Sequence, residues 1–221
     1  MTDRPQSLKA QNAWLIRAAL ILHGIAFVYV AFEPFVLAQL SGPDALEKLK
    51  TALAPGSLSL AIIVLAKLVL LGLIQARLRD RVIHWRWRYP LPGSRAFTRI
   101  GRADARVDMA RLEQRYGPLP TQPGEQDRLF YKVYRAHADE VGVLDAHKSY
   151  LAARDIGIIN LILFILLPGF AWWATGNPER VAVYSAALFA SYVLMALAAQ
   201  VYAGRFVENV LATASSPSGQ V

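Results

Sequence analysis

Residues 77–90, RLRDRVIHWRWRYP, follow directly on an apolar run over 58–76, and this junction constrains the chain more than any other stretch. Five arginines, two tryptophans and a tyrosine stand within these fourteen residues. That mixture at the end of a hydrophobic run suits a membrane–water interface. Aromatic rings lie among headgroups there, and guanidinium groups stay on the cytoplasmic side, where they need not be translocated. The junction therefore predicts an orientation and divides the chain into two hydrophobic hairpins with a basic polar region between them.

Composition agrees with a membrane assignment. Hydrophobic residues make up 55% of 221, and mean hydropathy is +0.30, high for a soluble domain. Four runs approach the roughly 20 residues that a bilayer-spanning helix requires. The first opens at Trp14 and Arg17 and ends near residue 32. It is read as a retained helix and not a cleaved leader, because it carries Arg17 and His23 and lacks a small-residue cleavage site. The others cover 58–76, 156–174 and 181–203. The expected fold is thus an all-α integral membrane protein with four transmembrane helices in two hairpins, 13–76 and 156–204. A basic helical cytoplasmic module, 77–155, lies between helices 2 and 3. Residues 1–12 form a cytoplasmic N-terminus, and 205–221 a partly disordered cytoplasmic tail. Residues 41–57, near neutral in charge, form an external loop, and Gly176-Asn177-Pro178 a tight external turn. Trp14, Trp85, Trp87, Trp172 and Trp173 are placed as interface anchors. The expected location is a bacterial inner membrane with both termini cytoplasmic.

The net charge of +8 is concentrated. Residues 77–155 hold sixteen Lys and Arg against ten Asp and Glu. Within them, Ser94 is a suitable N-cap for a helix running to Tyr116, where Gly117-Pro118 stops it. On that helix Ala96, Ile100, Ala103, Val107 and Ala110 fall on one stripe. Arg95, Arg99, Arg102 and Arg106 form a row about 16 Å long on another face. The row serves either as a solvated face that sets topology or as a site for phosphates of nucleic acid, a nucleotide or an anionic lipid.

From Glu125 to Pro168 no proline intervenes, so one helix is expected to enter the membrane from the polar region, with Gly142 and Gly157 as places for a bend. Along it Phe130, Val133, His137, Glu140, Leu144, His147 and Leu151 keep a three-to-four spacing, a heptad-like seam. His137, with Glu140 and His147 flanking, is either a core histidine bonded to a neighbour or a switch titrating near neutral pH. As metal ligands the three cannot meet on one helix, since His147 lies about 10 Å further along the axis. No metal and no cofactor is expected.

His23 and Lys67 fall near the middle of their spans, and Asn160 near the inner end of the third. Polar groups at such depth either bond between helices or mark a functional path. Ala182, Ala186 and Ala190 repeat every four residues, a face that permits close helix contact and homo-oligomers.

The absence of cysteine excludes disulfides, thiol nucleophiles and iron–sulfur ligation, and no phosphate loop, zinc-binding or nucleophile-elbow motif occurs. The expectation is a non-enzymatic homo-oligomer, with the lipid bilayer and a cytoplasmic protein or polyanion as partners. Its cytoplasmic module meets a partner or signal, and its membrane bundle responds. By analogy alone, one version is a permeabilising effector of stress or antiviral defence. The alternatives are a small transporter or channel using His23 and Lys67, and a membrane enzyme using His84, His137 and His147.

Overall fold

The computed structural model describes residues 11–31, 72 and 74–217. These are helical, with no strand among them. We number the helices α1 (Ala13–Ala31), α2 (Ala76–His84), α3 (Gly101–Ala103), α4 (Met109–Tyr116), α5 (Pro123–Ala136), α6 (Val141–Thr175) and α7 (Pro178–Ser215). A 3₁₀ turn at Pro92–Arg95 and a π turn at Ala96–Ile100 precede α3. Lys67, the 41–57 loop and nearly all of the expected second span lie outside the described residues.

Among the described residues, three helices are long and apolar enough to cross a membrane: α1, α6 and α7. The chain divides into two compact units. One holds α1 and Asp155–Met195; the other holds Ala76–Arg154 and the stretch from Ala196.

The first unit is built on helix-spaced apolar stripes. Ile16, Leu20 and Phe27 of α1 meet Ile159, Leu163, Leu167 and Ala171 of α6, with Tyr184 and Leu188 of α7. Four-residue steps put such side chains on one face of each helix. The opposite faces stay apolar too: Ile21, Ile25, Ile165, Val183 and Leu194 are all exposed. A helix apolar on every side is stable where its surroundings are also apolar, as in lipid. Between α6 and α7 the turn forms as its residues predict. Gly176 adopts φ +58, Asn177 Oδ1 accepts the N–H groups of Glu179 and Arg180 at 3.0 and 3.1 Å, and Pro178 opens α7.

The second unit has its own core. Phe97, Val107, Leu112, Phe130, Val133 and Val143 surround Phe206, Val207, Val210, Leu211 and Ala214 of α7. Three expectations are corrected here. The helix over 94–116 is broken, because polar side chains compete with its ladder. Ser94 Oγ donates backwards to the carbonyls of Tyr89 and Leu91 at 3.2 and 2.7 Å, so it caps nothing. Asp104 takes up extended backbone and accepts the N–H of Arg106 at 2.9 Å, and Asp108 then caps α4 by accepting from Arg111 N at 3.0 Å. Ala103 and Ala110 are exposed as a result.

The helix from Glu125 into the membrane is broken as well. It stops at His137 (φ −125) and restarts as α6 at Val141, so Glu140 lies in a turn and the heptad seam does not exist. This turn lets Phe130 and Val133 share a core with Val143, which a continuous rod would forbid. Finally, α7 does not end near Ala203. It continues to Ser215 because Phe206, Val207, Val210 and Leu211 are buried. Two arginines of α4 complete its C-terminus: Arg111 donates to Ser215 O at 3.1 Å and Arg115 to Ala214 O at 3.2 Å. Cations are favourable at the negative end of the helix dipole.

Candidate functional site

In the second unit, α2 and the loop after it face the start of α5 across a cavity of about 520 Å³. Its wall includes Arg77, Arg81, Arg88, Trp87, Tyr89, Asp80 and Asp127. The loop is held in an unusual shape. Trp85 and Tyr89 sit at φ 51 and 49, a left-handed conformation that costs a side-chain-bearing residue about 1 kcal/mol. At Tyr89 the neighbouring contacts hold it. Ser94 grips two loop carbonyls, and Gly93 lies so close to α5 that a Cβ there would stand 2.6 Å from Asp127 Oδ1 and 2.7 Å from the Phe130 ring.

Gln126 fixes α5 against the next segment. Its Oε1 accepts from Phe97 N, Thr98 N and Thr98 Oγ1 at 3.1–3.2 Å, and its Nε2 donates to Thr121 O at 2.8 Å. One fully buried amide thus meets the opening N–H groups of the π turn. Asp80, which lines the cavity, accepts from Arg154 Nη1 at 3.1 Å and from Tyr150 Oη at 3.2 Å. Tyr150 Oη lies 3.2 Å from His84 Nε2. Burial, with Arg95, Arg86 and Arg154 adding to it, pushes His84 down to about 4, so it is neutral at pH 7. Asp127 is raised above the usual carboxylate range, first by burial and then by Asp80.

The charge balance of the cavity follows from these contacts. The carboxylate of Asp80 is engaged by Arg154. Arg77, Arg81 and Arg88 make no ion pair among the described residues, and the Arg81 guanidinium lies 5.9 Å from the centroid of Trp87. Arg81 Nε is buried without a hydrogen-bond partner. The cavity wall therefore carries three guanidinium groups against one carboxylate, Asp127, that is outside any ion pair among the described residues, next to aromatic rings.

The four arginines expected in one row are not one row. Arg95 is in the 3₁₀ turn, half-buried, and burial together with Arg86 and Arg99 lowers its proton affinity. Arg99 and Arg102 are exposed, on the π turn and α3. Arg106 is clamped by both oxygens of Asp104, at 2.7 to 3.1 Å, with Glu208 at 4.0 Å.

His137, Glu140 and His147 do not converge. His137 caps α5 and burial lowers its pKa, with Arg115 adding to the effect. His147 stacks on Phe206 with centroids 4.6 Å apart, and its Nδ1 lies 3.0 Å from Tyr134 Oη. Among the described residues no group of three or more potential ligands is gathered for a metal ion. The five tryptophans are all exposed.

In the first unit, two of the three polar residues expected within the spans meet: His23 Nε2 lies 2.8 Å from Asn160 Oδ1. His23 also lines a groove of about 800 Å³ with Leu22, Ala26, Val183 and Tyr184. The buried hydroxyl of Tyr184 has no hydrogen-bond partner there. Ala182, Ala186 and Ala190 are exposed.

Sequence reasoning missed Asp80, Asp127, Gln126 and Tyr150. Asp80 was the detectable one, as the single acid inside an arginine-rich stretch that topology alone would leave purely basic. No protein-family model, curated protein or solved structure matches this chain.

Proposed function

We propose that this is a non-enzymatic homo-oligomeric protein of a bacterial inner membrane, with four spans in two hairpins and both termini cytoplasmic. Its polar helical unit meets a partner or signal, and its apolar unit responds by changing the permeability of the membrane. The observation that supports this reading is the continuity of two helices. Residues 141–154 of α6 belong to the polar unit and 155–175 to the apolar one, while α7 changes units between Met195 and Ala196. In this reading the two helices are the backbone links through which a change in the polar unit reaches the apolar one.

The groove bearing His23 and Tyr184 favours a second reading, a small transporter or channel in which His23 and Lys67 line the path. One experiment separates the two. Expression of the full chain is followed by entry of a membrane-impermeant dye, with membrane content measured in parallel. The signalling reading expects Ala198→Pro, which interrupts α7 near its change of unit, and Arg81→Gln/Arg88→Gln to alter dye entry. The transport reading expects His23→Ala and Lys67→Ala to abolish flux while the arginine variants leave it intact. If the wild-type chain never changes permeability, both readings fail.

A further inference from the structure

We propose that the cavity walled by Arg77, Arg81, Arg88, Trp87, Tyr89 and Asp127 binds a phosphate ester that also carries a hydroxyl or ammonium group. The inference deepens the functional reading above and rests on it for its biological meaning, since this ligand would be the signal.

Four observations carry the site. A volume of about 520 Å³ suits a small organic ligand. Three guanidinium groups without ion pairs among the described residues offer more donors than the two oxygens of a carboxylate can accept, whereas a phosphate ester presents up to three oxygens in matching geometry. The indole of Trp87 is 73% exposed and Tyr89 54%, so neither ring is held by core packing, and both can cover a flat or apolar part of the ligand. The strained backbone at Tyr89, whose carbonyl Ser94 grips beside the tightly packed Gly93, builds the wall before any ligand arrives.

Asp127 sets the ligand's second requirement. It makes no ion pair among the described residues, and as an acceptor it opposes a bare polyanion. A hydroxyl or ammonium on the same molecule would satisfy it. A lipid headgroup and a soluble nucleotide both have this chemistry. The lipid source has the pocket's place in the chain in its favour, directly after the apolar run over 58–76.

The full chain is purified in a maltoside detergent, which contains no phosphate, and titrated by calorimetry. The probes are ATP, dihexanoyl phosphatidylethanolamine and dihexanoyl phosphatidylglycerol. The expected result is saturable binding of at least one probe, weakened about tenfold by Arg81→Gln/Arg88→Gln. Arg99→Gln/Arg102→Gln, exposed and outside the cavity, should change it by less than about twofold. Binding of ATP alone places the ligand in solution, and binding of a lipid probe alone places it in the membrane; either supports the site. If the double variant loses its helical circular dichroism, Trp87→Leu replaces it and should weaken binding roughly threefold. The proposal is overturned if no probe binds the wild-type chain, or if the exposed pair matters as much as the cavity pair. Binding without any change in dye entry would retain the site and refute the signalling function.

Discussion

Asp80 and Arg154, 74 positions apart, form an ion pair of 3.1 Å in which both side chains are buried. Tyr150 donates to the same carboxylate oxygen, and the Arg154 guanidinium lies 5.7 Å from the Tyr150 ring. This network joins α2 to α6 within the polar unit and holds Asp80, which lines the basic cavity.

Removing Asp80 takes away the buried carboxylate that Arg154 Nη1 and Tyr150 Oη share. Asp80→Ala should destabilise the polar unit by roughly 3–5 kcal/mol, whereas Asp80→Leu combined with Arg154→Met should recover much of that loss. Thermal unfolding by circular dichroism in detergent compares the three proteins. Equal melting of Asp80→Ala and the wild type would contradict the buried pair.

His84 makes stability depend on pH. Its pKa is depressed from about 6.5 when unfolded to about 4 when folded, so the unfolded chain binds the additional proton. The contribution is fully present above pH 6.5 and is lost as pH falls through 4. The total is on the order of 3 kcal/mol. Melting temperatures recorded from pH 7 to pH 4 should fall, and His84→Gln should flatten the part due to this residue.

Gln126 is one side chain holding three donors. Gln126→Leu should cost the polar unit roughly 2 kcal/mol, since buried N–H groups are left unmet. Amide exchange at Phe97 and Thr98 should accelerate more than exchange in α7. Unchanged exchange at these two amides would mean that the bond is not maintained in solution.

Close contact between copies is expected through Ala182, Ala186 and Ala190. Ala186→Leu should shift the oligomer toward smaller species in mild detergent, as measured by light scattering, because a longer side chain keeps helices apart. A monodisperse monomer for the wild type would remove the basis for this expectation.

Orientation is tested by reporter fusions. Reporters placed after Gln220 and within 117–124 should lie on the cytoplasmic side, and one within 41–57 on the opposite side. A reporter at 117–124 found outside would refute the four-span arrangement.

The apolar runs of α1, α6 and α7 were legible because length and hydropathy are sums over neighbouring residues, and a bilayer selects on those sums. The Gly176-Asn177-Pro178 turn was legible for a similar local reason, as each residue carries its own backbone preference. Residues 94–116 were not. Their wheel presents a plausible stripe, but Gln126, 28 positions from Thr98, and the two aspartates at 104 and 108 redirect the backbone. The fate of each arginine was decided by the fold as well. Arg106 found Asp104 and Arg154 found Asp80, while Arg77, Arg81 and Arg88 came to wall one cavity. Local composition determined which segments are apolar and where charge accumulates. Which charges are neutralised, and which are left to face a ligand, depends on partners brought together from distant positions, and only the tertiary structure specifies those.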